Sequence, residues 1–242
     1  MLNGNSKKIS FYAAIWRKNT NFATEIVRLM TEIHKKYSLY TVGHSSHTQE
    51  GFLQLLQDNI VDCIVDVRSV PASKYAPQFN QDALESFLRH HGMSYYFFGH
   101  EFGARRLDAL NSEGQVDFEM AIHTQLFHQG VEHLMSLLSN HHVALMCSEA
   151  NPLECHRFAL VARYFHEQGI EVLHILKDAS TVCHASLEQE MVKQYLTARK
   201  PQLAEVDELF GTYTSEDQLR DAYRLKNKEI GYRVKQLEEY YD

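Results

Sequence analysis

Apolar positions along this chain fall into two alternating rhythms. From about Asn21 to Tyr37, Phe22, Ile26, Leu29, Met30 and Ile33 recur at helical spacing and predict an amphipathic helix. SLYTVGHS then predicts a short strand ending at Gly43-His44-Ser45. Ser46 followed by Gln49 reads as a capping box, and Phe52, Leu55 and Leu56 supply the buried face of the helix it starts. IVDCIVDVR is apolar and β-branched until Asp66 and Arg68, which predicts a strand buried on both faces. SVPASKYAPQF is a proline-marked loop, after which Asn80 caps a helix through His90 that Gly92 stops. MSYYFFG predicts a further strand, followed by a polar, irregular stretch and a helix from about Glu119 to Asn140.

Val143 to Ile175 completes the pattern as a strand, a reactive loop, a helix running to Gln168 and a second strand. This alternation predicts an α/β fold with a mostly parallel, doubly wound sheet, Rossmann-like and reminiscent of rhodanese. Helical extensions flank it: residues 1–38 before an α/β domain at 39–185, and residues 186–242 after it. In the C-terminal extension Ser186 to Arg199 reads as helix. Glu216 to Tyr240 reads as a charged helix, a candidate dimerisation arm.

Composition narrows the function classes. A net charge of −7 argues against broad affinity for nucleic acid. No apolar run spans a bilayer, and the first residues lack a signal-peptide core, so a cytoplasmic, reducing setting is expected. There Cys63, Cys147, Cys155 and Cys183 are expected as free thiols rather than a disulfide framework. The 15 histidines are read mostly as surface and capping residues.

In a parallel sheet the strand C-termini open onto one edge. Three such ends carry polar groups: Gly43-His44-Ser45, Asp66-Val67-Arg68 and Cys147-Ser148-Glu149. Cys155, His156 and Arg157 stand where a helix begins, and free N–H groups there favour a thiolate or a bound anion. A bland alternative has Cys147 and Cys155 as core fillers and Arg157 braced on Glu154 or Glu149. Arg105 and Arg106, after the aromatic run Tyr95 to Phe98, could receive a phosphate or a base, or simply be solvated beside core aromatics. A phosphatase- or rhodanese-type Cys-x5-Arg cradle from Cys147 is disfavoured, because position 153 is leucine and the loop lacks glycine.

Three readings stay open. The first is an enzyme, a cysteine-dependent transferase or hydrolase binding an anionic or nucleotide-like group. Arg68 and Arg157 would hold the anion, Cys155 or Cys147 would act as nucleophile or redox thiol, and His44 or Glu149 would move protons. The second is a noncatalytic module binding a nucleotide, nucleic acid or protein through the same rim and the Arg105-Arg106 loop. The third is a metal site assembled from Cys147, Cys155, His156 and His44.

The motifs GHS, DVR-x2-P-x-S and C-x-E-x5-CHR occur in that order in TVGHSSHTQEGFLQLL, IVDVRSVPASKYAPQFN and VALMCSEANPLECHRFALVARYFHEQGIEVLHI. Together, over roughly Leu39 to Ile175, they resemble the domain of unknown function 488 family. Its Leu-Gly-Gly-x-Arg loop has a counterpart in Phe102-Gly103-Ala104-Arg105-Arg106. The resemblance implies one α/β domain and a shared cluster of His44, Ser45, Asp66, Arg68, Pro71, Ser73, Cys147, Glu149, Cys155, His156 and Arg157. It implies no particular reaction.

Overall fold

Four buried apolar strands form the centre of the molecule. In the computed structural model, residues 37–195 and 214–234 are described. The helix expected over 21–37, and the ends of the two C-terminal helices, fall outside them. The strands are β1 (Ser38–Gly43), β2 (Cys63–Asp66), β3 (Ser94–Phe97), β4 (Val143–Cys147), β5 (Glu171–Ile175) and β6 (Thr181–Cys183). They lie in the order β3-β2-β4-β1-β5-β6, all parallel except for β6, which runs antiparallel to β5. Helices cover both faces, as the strand–helix alternation predicts for an α/β sheet.

The connections place the site. β1 crosses to β2 on one side of the sheet, whereas β4 crosses over β1 to β5 on the other. The adjacent ends of β1 and β4 therefore form a topological switch point, where open α/β sheets leave a crevice. Gly43 pairs with Cys147 at that point. A Cβ on Gly43 would lie 1.9 Å from the carbonyl oxygen of Glu149, so only glycine lets the β4 loop cross the end of β1.

α1 (Gln49–Asp58) and α2 (Gln81–His90) pack Phe52, Leu56, Leu84 and Leu88 at zero exposure into the core beside Val42, Ile64 and Met146. Each such side chain contributes roughly 1.5–3 kcal/mol of burial. The cap of α1 differs from the expected one. Thr48, not Ser46, is the N-cap, and its hydroxyl accepts from the Gly51 N–H. Asn80 does precede α2, but its side chain accepts from Ser73 N–H and so ties down the proline-marked loop instead of capping. His91 closes α2, and Gly92 turns away with φ +75°.

The helix expected from Glu119 to Asn140 is divided. A turn at Phe118–Ala121 precedes α3 (Gln125–Leu138), which Thr124 caps by accepting from the Phe127 N–H. Threonine favours a cap over a helix interior because its hydroxyl competes for backbone donors. On this face Phe102, Phe127, Tyr164 and Phe165 interlock edge to face. The reactive loop enters a π-helical segment, Arg157–Ala162, that continues as α4 (Arg163–Glu167). Residues 184–195 form a helix, here α5.

α6 (Ser215–Ile230) carries a complete capping box, Thr214 with Asp217. It buries Ala222, Tyr223 and Lys226, and Asn227 bonds the backbone of Val116 and Phe118. That face packs against the chain's own body. No helix among the described residues is long and apolar enough to cross a membrane.

Candidate functional site

Three strand ends far apart in sequence meet because β2, β4 and β1 are neighbours. His44 N–H donates to Cys147 O at 2.9 Å, Ser45 N–H to Ser148 O at 2.9 Å, and Val67 N–H to Met146 O at 3.0 Å. Ser45 makes the turn at φ 44°. The expected convergence of His44, Asp66, Arg68, Cys147 and Glu149 is therefore a fact of the backbone.

Two subclusters share this edge. In the first, Arg68 forks onto Asp66, with Nε at 2.9 Å from Oδ1 and Nη2 at 2.5 Å from Oδ2. Tyr95 OH adds a bond to Asp66 at 2.7 Å. Arg68 Nη2 also donates to Phe79 O at 2.8 Å, and Nη1 lies 3.3 Å from His44 Nε2. A guanidinium only donates, so His44 accepts at Nε2 and carries its proton on Nδ1, facing Ser45 O at 3.1 Å. Burial, then Arg68, pushes the His44 pKa down to about 4, and the ring stacks on Phe79 at 4.4 Å. His44 is thus a neutral, fixed imidazole.

The second subcluster holds the sulfurs. Cys147 Sγ and Cys155 Sγ each lie 3.0 Å from the same oxygen, Glu149 Oε2, and each lies 3.8 Å from His156 Nδ1. His156 Nε2 faces Val67 O at 2.9 Å. Because a carbonyl only accepts, Nε2 carries the proton, and in the neutral ring Nδ1 turns a lone pair toward both sulfurs. Both cysteines are buried, at 3% and 2% exposure.

Burial opposes ionisation of Cys155, but the Cys147 thiol, Arg157 and His156 outweigh it and hold its pKa well below the ordinary thiol value. The Arg157 backbone N–H, 3.4 Å from Cys155 Sγ, points the same way. Cys147 moves oppositely, raised by its bond to Cys155 and by burial. Burial lowers His156, yet the Cys155 charge carries it above its usual range; Glu149 is raised by burial and then by Cys155. These directions favour proton loss from Cys155 over Cys147.

Arg157 is fully buried. Its Nη1 donates to Glu149 O at 2.6 Å, Nη2 to Ala150 O at 3.1 Å and Nε to Thr41 Oγ1 at 3.4 Å. It therefore braces the loop through backbone carbonyls, not through the Glu154 or Glu149 carboxylates considered from sequence.

The remaining candidates lie apart from the sulfurs. Ser73 Oγ accepts from Tyr75 and Ala76 N–H groups within its own loop. Arg105 stacks over Tyr232 at 5.2 Å. Arg106 is 2% exposed and bonds Asp108, Thr124 and the Glu101 carbonyl, which overturns the solvated reading. Tyr95 and Tyr96 sit on the edge strand β3 and keep partial exposure, so the aromatic run is not fully core.

Sequence reading missed the polar groups behind the loop: Thr41, His174, His184, Glu188 and Tyr223, all buried. His174 and His184 also depart from the surface role expected of most histidines. Their signal was Thr41 and His174 interrupting otherwise apolar strands.

Cys147 Sγ, Cys155 Sγ and His156 Nδ1 all lie within 4.8 Å of one another. Tetrahedral Zn–S and Zn–N bonds would place sulfur and nitrogen about 3.5 Å apart, near the 3.8 Å found here. Two thiols and an imidazole lone pair are a soft-to-borderline donor set suited to a transition metal.

No curated protein and no solved structure matches the chain. A family model does match: residues 48–164, which contain Asp66, Arg68, Cys147, Glu149 and the Cys155-His156-Arg157 triplet, fit Domain of unknown function DUF488, supporting the likeness seen in the motifs.

Proposed function

We propose that the chain binds a divalent transition metal ion of the zinc class, with Cys147, Cys155 and His156 as ligands and Glu149 at the fourth position. The observation that carries this reading is the aim of His156. Its Nε2–H is fixed on Val67 O, and its Nδ1 faces two sulfurs at 3.8 Å. A histidine that ligates a metal through one ring nitrogen almost always donates its other N–H to a carbonyl, a carboxylate or water. Glu149 Oε2 lies 3.0 Å from each sulfur and would complete the set.

Burial of both sulfurs supports a ligand role over a nucleophilic one, since an attacking thiolate has to meet its substrate. Arg68 and Arg157, expected to hold an anion, spend donors on Asp66, Phe79 O, Glu149 O and Ala150 O. The metal reading does not use them as ligand clamps.

Elemental analysis of the full chain, purified without chelator, is the direct test, followed by titration with Co2+. About one equivalent of metal and sulfur-to-cobalt charge-transfer absorption are expected, both lost in Cys155→Ser and His156→Gln. Less than about a tenth of an equivalent, with no charge-transfer band on adding Co2+, overturns the reading. A second reading, a dithiol that closes to a disulfide, is favoured by the convergence of both sulfurs on one oxygen. Loss of two hydrogens by mass under mild oxidation, in protein that takes up no metal, would select it.

A further inference from the structure

Behind Arg157 runs a line of hydrogen bonds that crosses the molecule. Thr41 Oγ1 lies 2.8 Å from His174 Nδ1, and His174 Nε2 lies 3.1 Å from His184 Nδ1. His184 Nε2 lies 2.8 Å from Tyr223 OH, which donates to Glu188 Oε1 at 2.8 Å. Every member is at most 8% exposed. Phe158 stacks on both His184 and Tyr223 and walls the line in.

The two ends decide the direction of every bond. Tyr223 donates to the Glu188 carboxylate and so accepts from His184 Nε2–H; neutral rings carry that sense back until His174 Nδ1 accepts from Thr41, which itself accepts from Arg157 Nε. His174 then carries its proton on Nε2 and gives it to His184 Nδ1. His184 likewise donates from Nε2 to Tyr223, whose hydroxyl donates to the carboxylate. Only one proton arrangement satisfies all the members, and aligned bonds in a low dielectric reinforce one another. Because Arg157 does not release a proton, the line orders groups; it does not shuttle protons.

The line joins five segments: the π-helical turn (Arg157), β1 (Thr41), β5 (His174), α5 (His184 and Glu188) and α6 (Tyr223). At its near end the other two Arg157 nitrogens hold Glu149 O and Ala150 O, the loop between the cysteines. We infer that Tyr223 and Glu188 are positioning residues for the Cys147–Cys155 loop, so that α6, outside the matched 48–164 segment, is part of the site's machinery. This inference rests on the metal reading for its main readout.

The test uses the full chain, Co2+ as the probe, and the variants Tyr223→Phe and Glu188→Gln, with Tyr195→Phe as control because its hydroxyl bonds Glu229 outside the line. Imidazole nitrogen shifts in the metal-free wild type should show both His174 and His184 as neutral Nε2–H tautomers. In both variants the His184 pattern should change, and the Co2+ Kd should rise on the order of tenfold, the scale of outer-shell losses. Tyr195→Phe should leave both unchanged. A merely structural role would lower the melting temperature of Tyr223→Phe without moving the Kd.

A Kd within about twofold of wild type in both variants, against the tenfold or more expected of outer-shell partners, overturns the inference, as does an Nδ1–H tautomer at either histidine. If the wild type binds no Co2+, the metal reading has failed. The same variants are then compared by the alkylation rate of Cys147 and Cys155. A changed rate upholds the positioning role, and an unchanged one removes it.

Discussion

Replacing His184 with phenylalanine should remove about one proton from the acid unfolding of this protein. Burial, then His174, His166 and Arg163, press the His184 pKa down to about 2. His174 falls to about 3, through burial and then Arg157, with Cys155 opposing and His166 adding. An unfolded histidine titrates near pH 6.5. The folded state therefore refuses protons that the unfolded chain accepts. The associated stability is whole above about pH 6.5 and drains away as pH falls below it.

By pH 5 each ring has lost about 2 kcal/mol, so the pair has lost about 4 kcal/mol. That is comparable with the entire stability of a marginal domain. Phenylalanine keeps a ring against Phe158, stacked at 4.6 Å in the wild type, and removes one titration. His44 contributes with the same sign but is present in both proteins, so it cancels in the difference. Urea unfolding at half-unit steps from pH 6.5 to 5.0 gives the slope of stability against pH. The variant's slope should be shallower by roughly 1.4 kcal/mol per pH unit at the acid end. Equal slopes would refute the claim that His184 stays neutral inside the fold.

Other changes test the frame that holds the site. Gly43→Ala places a methyl group 1.9 Å from Glu149 O and should cost more than about 3 kcal/mol, read from a denaturant midpoint. Asp66→Ala leaves a buried Arg68 without its partner and should cost about 3–5 kcal/mol, whereas Asp66→Leu with Arg68→Met should cost clearly less. Thr48→Ala should cost about 1 kcal/mol as a lost helix cap, and Ser46→Ala at most a few tenths. Equal effects of those last two would return the cap to Ser46.

The apolar runs made β1, β2, β4 and β5 legible because a strand buried on both faces has to be nearly all apolar. Strand-edge logic likewise brought His44, Asp66, Arg68, Cys147 and Glu149 to one rim. Less visible was which carbonyl each donor meets. Arg157 looked like an anion ligand because its Glu149 O and Ala150 O partners are backbone atoms that any residue would supply. The cap of α1 was read at Ser46, whereas Thr48, two positions on, takes that role, a boundary that local composition does not mark. The Tyr223 hydroxyl meets His184 across 39 positions, a separation no periodic pattern reports.

Arg157 also sets an electrical condition on the site. Among the described residues its guanidinium is answered by carbonyl dipoles and a hydroxyl rather than by a carboxylate, so a full positive charge sits inside the protein. Uncompensated interior charge is costly. In the proposed metal site, a doubly charged ion together with Arg157 would be matched by two thiolates and the Glu149 carboxylate, leaving no residual charge. A singly charged copper ion would leave one negative charge in excess. Such a site would discriminate by valence as well as by ligand softness, and competition between Zn2+ and Cu+ under reducing conditions would expose that bias.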